Sequence, residues 1–117
     1  MSAITTHVLD TARGRPASGV PITLARRDAD GAGAAYRTLG QGQTDGDGRL
    51  RTLLPAGTAL LPGVYRLTFD TAAYFQAHGI TGFYPEVTVV FTITAANEHY
   101  HVPLLLSPYG FSTYRGS

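Results

Sequence analysis

The sequence predicts an all-β sandwich that forms one domain over residues 1–117. Short segments rich in β-branched and aromatic residues recur along the chain, and Gly, Pro or Asp ends each of them, which is typical of sandwiches with Greek-key loops. Apolar and polar side chains alternate within the clearest segments, as in strands that bury one face. The length allows one hydrophobic core but not two.

The predicted strands share this alternation, and they span residues 4–10, 20–26, 36–39, 49–54, 63–69, 86–94 and a strand-turn-strand over 99–113. A Gly- and Ala-rich loop covers 28–34. The Asp-Gly pairs of residues 44–48 supply the positive φ angles of a tight turn before the fourth strand. One short helix is predicted over 71–78, with Asp70 or Thr71 as its cap and Gly79 as its stop.

Alternation also divides the strand residues between two faces. The side chains predicted to fill the core are Ile4, Thr6, Val8, Leu50, Thr52, Leu54, Tyr100, Val102, Leu104 and Leu106. The side chains predicted to face outward are Thr5, His7, Leu9, Arg49, Arg51, Leu53, His99, His101, Pro103 and Leu105. Leucines beside ionisable groups on an outer face indicate an oligomer interface with a polar site set into it.

Composition excludes several function classes. The net charge of +1 gives no electrostatic basis for binding nucleic acid or an anionic membrane. The chain has no cysteine, which excludes disulfides, thiolate metal sites and cysteine nucleophiles. Neither a signal peptide nor a membrane-length apolar run is visible, so we expect a cytoplasmic protein.

Three segments carry a resemblance to a known family. They are Thr6-His-Val-Leu-Asp-Thr-Ala-Arg-Gly-Arg-Pro-Ala17, Thr44-Asp-Gly-Asp-Gly-Arg49, and the closing segment from His99-Tyr-His-Val-Pro to Tyr-Arg-Gly-Ser117. In this order, and over essentially the whole chain, they resemble the transthyretin-related 5-hydroxyisourate hydrolases. The terminal Tyr-Arg-Gly-Ser is similar to the enzyme branch, whereas the hormone-carrying transthyretins end in a different, longer tail.

The resemblance implies a transthyretin-like Greek-key sandwich of two four-stranded sheets with one short helix. It also implies a homotetramer, a dimer of dimers, with active sites in the channel between the dimers. The reaction would open a ring amide of 5-hydroxyisourate during urate degradation and yield 2-oxo-4-hydroxy-4-carboxy-5-ureidoimidazoline. No metal or other cofactor is implied.

The family's motif positions fall on catalytic His7, Arg49, His101 and Ser117, and on substrate-binding Tyr114, Arg115 and Gly116. Under this hypothesis the histidines activate and position a water molecule, because a neutral imidazole can accept its proton. Arginine offers a planar, permanently charged fork for the developing negative charge. The sequence leaves open which histidine is the base, and whether His99 has a role beyond that of a solvated strand residue.

Other interpretations remain. A transthyretin-type carrier would bind a ligand in the same channel without turnover, although two histidines, an arginine and Tyr114 favour a small polar heterocycle. The spacing of His99 and His101, with His7 as a third ligand, is that of a strand-borne metal site, which we hold as a minority alternative. A plain β-sandwich interaction module does not explain the patterned tail.

Overall fold

A computed structural model describes residues 3–28 and 35–117. Its strands and helix, in chain order, are β1 Ile4–Asp10, β2 Arg15–Pro16, β3 Pro21–Arg27, β4 Tyr36–Gln43, β5 Arg49–Leu50, β6 Gly63–Phe69, α1 Thr71–Ala77, β7 Val87–Ile93, β8 Tyr100–Ser107 and β9 Gly110–Thr113. The loop predicted over 28–34 lies, from residue 29 onward, outside the described residues.

Two sheets pack face to face, as the sequence predicts. The first runs in the order β2-β1-β8-β9 with β5 paired to β1, and the second runs β4-β3-β6-β7. The first sheet therefore has five strands rather than four, because the two-residue β2 and β5 share one edge of β1. The strands β1 and β8 lie parallel to each other, and the other pairings are antiparallel.

The core lies between the sheets and follows the predicted alternation in β1 and β8. Its residues in these two strands are at most 6% exposed, and they are Ile4, Thr6, Val8, Tyr100, Val102, Leu104 and Leu106. The opposing sheet contributes Leu24, Leu67 and Phe69, each almost fully buried. Because these side chains fill one face of β1 and β8, His7 and His101 are left on the other face.

The strand predicted over 49–54 is shorter than expected, and the outward position predicted for Leu53 is wrong. Ladder pairing ends at Leu50, and Leu53 is 0% exposed while Thr52 is exposed. The chain leaves the edge of β1 here and crosses to the second sheet, where a Cβ on Gly40 would collide with the Leu53 carbonyl. Alternation therefore stops at Leu50, and both Leu53 and Leu54 enter the core.

The single helix of the described residues forms close to its predicted position. Asp70 caps it by accepting a hydrogen bond from the Ala73 amide at 3.0 Å, and Gly79 follows it with a φ of 66°. The Tyr74 hydroxyl donates to the buried Asp10 carboxylate at 2.7 Å and so ties the helix to the end of β1. Within the described residues, no helix has the length and apolar character to cross a membrane.

Candidate functional site

Three of the predicted catalytic residues lie together on the outward-facing surface of the first sheet. His7 in β1 pairs directly with Arg49 in β5, and Thr5 in β1 pairs with His101 in β8. Side chains two residues apart on one strand point the same way, so Thr5 and His7 share a face. We call the surface formed by Thr5, His7, Arg49, His99 and His101 the outer face.

His7 is held by the turn that precedes β5. Its Nε2 lies 2.8 Å from the backbone carbonyl oxygen of Asp47. A carbonyl oxygen only accepts hydrogen bonds, so Nε2 carries the hydrogen. In the neutral ring, Nδ1 of His7 is therefore the nitrogen with a free lone pair.

The turn itself is fixed by the Asp45 carboxylate. Its Oδ1 accepts hydrogen bonds from the backbone amides of Asp47 at 2.9 Å and Arg49 at 3.0 Å. The bond from the Arg49 amide is the main reason why the pKa of Asp45 lies below its ordinary value. Gly48 closes the turn with a φ of 76°, which an L side chain rarely adopts. This geometry aims the Asp47 carbonyl at His7 and places Arg49 opposite it.

His101 is half-buried, and its Nδ1 lies 2.8 Å from the hydroxyl of Thr5. Burial lowers the pKa of His101 below its ordinary value, and electrostatic interactions with the Arg49 guanidinium and with the His7 and His99 rings act in the same direction. His101 is therefore neutral near pH 7, the state that a general base requires.

Sequence reasoning missed two of these contributors. Thr5 is 5% exposed, and its hydroxyl also lies 3.0 Å from Nε2 of His99, so His99 belongs to the same hydrogen-bonded group as His101. The alternation of β1 could have identified Thr5, because it lies two residues before His7 and therefore points to the same face. The Asp47 carbonyl could not have been identified from the sequence, because every residue has a backbone carbonyl.

The tail residues separate into two groups. The Gly116 amide donates to the carbonyl oxygen of His101 at 2.8 Å, so the tail runs beside β8 at this point. Arg115 instead pairs with Glu98 at 2.9 Å, and its guanidinium lies 4.5 Å from the ring centre of Tyr100. Tyr114 is 57% exposed, and Ser117 is exposed as well.

Tyr114 and Arg115 also line an apolar cavity on the core side of β8, whose other walls are Val89, Phe91, Thr92, Tyr100, Val102 and Thr113. Within one chain, the structure therefore brings Gly116 to His101 and directs Arg115 toward Glu98 and Tyr100. In the described part of the chain, no group of three or more histidine or carboxylate side chains has a metal-binding arrangement.

Comparison with known proteins agrees with the fold. The sequence model of the HIUase/Transthyretin family matches residues 4–116. This chain belongs to the HIUase/Transthyretin family. A relative in this family, the 5-hydroxyisourate hydrolase of Caulobacter vibrioides, is 46% identical over an alignment of 121 residues. The alignment covers 100% of both chains.

The solved structures that resemble this chain include a 5-hydroxyisourate hydrolase and a transthyretin in complex with thyroxine. The 5-hydroxyisourate hydrolase of Klebsiella pneumoniae is 37% identical with a TM-score of 0.81, and the match covers 100% of this chain and 94% of that one. Sea bream transthyretin in complex with thyroxine is 30% identical with a TM-score of 0.87, over 97% and 94% of the two chains. The shared backbone therefore does not separate hydrolysis from carriage, and the site residues must do so.

Proposed function

We propose that this protein hydrolyses 5-hydroxyisourate in urate degradation. The observation that carries the proposal is the convergence of His7, Arg49 and His101 on one face of the first sheet. This polar group occurs in a chain that is 46% identical, over its full length, to a relative named 5-hydroxyisourate hydrolase. The transthyretin-like fold alone fits either a carrier or an enzyme, whereas a histidine base beside a permanently charged arginine fits hydrolysis.

Opening a ring amide requires a nucleophilic water and a group that stabilises the negative charge on the carbonyl oxygen. We assign the base to His101, whose lowered pKa leaves the ring neutral at working pH. Arg49 stabilises the oxyanion with its guanidinium fork. The ring-opened product would be 2-oxo-4-hydroxy-4-carboxy-5-ureidoimidazoline.

The same assignment gives His7 a supporting role. Its Nε2 is occupied by the Asp47 carbonyl, so only Nδ1 is available to hold the water. Ser117 is oriented toward this water in our proposal. Gly116 lets the tail lie against the edge of His101. Within one chain Tyr114 and Arg115 line a cavity on the core side of β8, so in our proposal they shape the substrate pocket only in the assembled tetramer.

We further propose that the working form is a homotetramer, a dimer of dimers, whose central channel is lined by the outer face. Leu9 and Leu105 flank the site on this face and are only partly buried within one chain, which supports burial by a second copy. Light scattering on the purified protein should give a mass four times that of the chain, and a monomer at assay concentration would contradict this assembly.

The carrier alternative rests on the likeness to sea bream transthyretin bound to thyroxine. An apolar hormone binds more favourably in an apolar channel, because on this outer face it would remove water from two imidazoles and a guanidinium without replacing their hydrogen bonds. The outer face of this chain therefore favours a small polar substrate. Tight thyroxine binding without turnover of 5-hydroxyisourate would support the carrier instead.

The deciding experiment follows the ultraviolet absorbance of freshly generated 5-hydroxyisourate with and without micromolar protein. We expect the protein to accelerate the decay strongly, and His101→Asn and Arg49→Ala to lose about 100-fold or more in kcat/KM. His78→Asn is the matched control, because His78 follows α1 and contacts Arg13 rather than the outer face. No acceleration by the wild-type protein would rule out the hydrolase.

A further inference from the structure

The Thr5 hydroxyl lies between two imidazole rings. Its Oγ1 is 2.8 Å from Nδ1 of His101 and 3.0 Å from Nε2 of His99, and the two rings are nearly parallel with centres 6.5 Å apart. Thr5 is 5% exposed, so water has little access to compete for these bonds. His99 itself is exposed and provides the solvent end of the group.

A hydroxyl donates one hydrogen bond and accepts up to two, so at most one of the two imidazole nitrogens accepts from Thr5 and at least one donates to it. When both rings donate to Thr5, His101 carries its hydrogen on Nδ1. When Thr5 donates to one of the rings, two arrangements remain. In one, His101 Nδ1–H donates to Thr5 and Thr5 donates to His99 Nε2. In the other, both directions are reversed, and His101 would carry its hydrogen on Nε2.

The surroundings of His101 favour the first arrangement. Its Nδ1 lies 2.8 Å from the Thr5 hydroxyl, so Nε2 is the ring nitrogen that can face a reacting water. Nε2 can accept a proton from water only when the ring hydrogen is on Nδ1, and in the first arrangement Nδ1–H donates that hydrogen to the Thr5 hydroxyl. The charged Arg115 and Glu98 nearby pair with each other.

We propose that Thr5 is a positioning residue, which holds His101 in the Nδ1–H tautomer and leaves Nε2 as the base of the proposed hydrolysis. This inference rests on the proposed function, which requires Nε2 as the base, but the tautomer can be measured without the reaction. In the reaction, Nε2 of His101 accepts a proton from water while the water oxygen bonds to the substrate carbonyl carbon and the carbonyl electrons move to its oxygen. The ring C–N bond then breaks, and the leaving nitrogen takes the proton from Nε2. Between the two steps the imidazolium keeps its Nδ1–H bond to Thr5, so the ring is already oriented for the charged state.

Nitrogen-15 NMR of the imidazole rings tests the tautomer directly. The chain has four histidines, so His101 can be assigned with single His→Asn variants. At a pH well above the pKa of His101, we expect the wild-type ring to show Nδ1 protonated and Nε2 unprotonated. A wild-type ring protonated on Nε2 would overturn the proposal without any variant.

Two substitutions then test the role of the hydroxyl. Thr5→Val keeps the shape and β-branching of the side chain but removes the hydroxyl, and we expect His101 to shift toward the Nε2–H tautomer. We expect kcat to fall by about tenfold or more and KM to change by less than about twofold, because the substitution affects the base but not the contacts with the substrate. Thr5→Ser restores the hydroxyl and should return kcat to within about threefold of the wild type.

Thr6→Val is the matched control, since Thr6 is the next residue of β1, is equally buried, and directs its hydroxyl to the Val102 carbonyl on the core side. It should lower stability without changing the His101 tautomer. If Thr5→Val kept both the tautomer and the wild-type kcat, Thr5 would be a structural residue only. If the wild-type protein showed the expected tautomer but no hydrolysis, the role of Thr5 would stand and the proposed reaction would fail.

Discussion

His101 is fixed on two edges of its ring. The Thr5 hydroxyl holds the Nδ1 edge at 2.8 Å, and the tail approaches the Cδ2 edge so closely that a Cβ on Gly116 would lie 2.6 Å from Cδ2. A real Cβ does not tolerate that separation, so the tail can pass here only as glycine. The position of the imidazole therefore depends on one small residue and one hydroxyl, neither of which reacts in our proposal.

We expect Gly116→Ala to lower kcat about tenfold or more, because either the ring or the tail must move and misplacement of a catalytic group by about 1 Å can cost up to about 100-fold. The absorbance assay measures this loss. Gly110→Ala is the control, since a Cβ there meets only Ser107 Oγ at an ordinary 3.7 Å. Equal activity of the two variants would show that the tail does not constrain His101.

The charge of Arg49 should be visible in the titration of His101. Arg49 is one of the groups that lower the pKa of His101, so Arg49→Gln should raise that pKa. Proton NMR of the His101 ring measures it, and in the wild type the midpoint should lie below the ordinary value of about 6.5. Arg51→Gln is the control, because Arg51 lies 3.7 Å from the Asp45 carboxylate and should leave His101 unchanged.

The same midpoint predicts the acid limb of the reaction. Because the pKa of His101 is lowered, the ring stays neutral as the pH falls, and kcat/KM of the wild type should decrease only below about pH 6.5. In Arg49→Gln the pKa of His101 should rise, so this decrease should begin at a higher pH. A wild-type limb above about pH 6.5 would contradict His101 as the base.

For single residues, alternation in the sequence was enough to predict that His7 and His101 face outward, because core residues occupy the other face of β1 and β8. It was not enough to find the Asp47 carbonyl that sets the His7 tautomer. That contact depends on where the backbone of one turn lies relative to a neighbouring strand, and backbone carbonyls carry no residue signature.

Among the elements, the turn over residues 44–48 has the greatest influence on the site. It reverses the chain so that Arg49 faces His7, and it also carries the carbonyl to which His7 donates. The Asp-Gly pattern predicted the turn correctly because positive φ angles favour glycine. The length of the following strand was not predictable in this way, since β5 ends where the chain crosses to the other sheet and not at a sequence break.

Gly48→Ala should lower the free energy of unfolding by roughly 1–3 kcal/mol, because it forces an L side chain to a positive φ. A Cβ at this position would also collide with the Val8 carbonyl. Urea unfolding followed by circular dichroism measures the change. Gly46→Ala lies in the same turn with open space around its Cβ and should be nearly neutral; a similar loss in both variants would refute the φ argument.

In the whole molecule, the site is assembled from distant parts of the chain. β1 and β8 pair in parallel although Thr5 and His101 are 96 residues apart in the sequence. Local patterns in the sequence predicted the strands, but pairing between such distant strands depends on the entire core. The family resemblance predicted a two-sheet transthyretin-like sandwich, and the family match over residues 4–116 confirms that fold, but the pairing of β1 with β8 was not predicted.

Deleting residues 114–117 should separate activity from folding. The sheet ends at Thr113, so we expect the circular dichroism spectrum of the truncated protein to keep its β character. Turnover should fall by about 100-fold or more, because the Gly116 contact with His101 and the proposed pocket wall are lost together. Retained turnover in a folded truncation would leave the tail with a structural role only.

The position of β1 has a consequence for how the site moves. β1 is hydrogen-bonded on one side to β2 and β5 and on the other side along its full length to β8. Amide hydrogens in such a strand exchange with solvent only when the domain opens as a whole, whereas loop amides exchange through local fluctuations. The amide protons of Thr5 and His7 should thus be among the slowest in deuterium exchange, and the imidazoles would keep their alignment for as long as the domain remains folded.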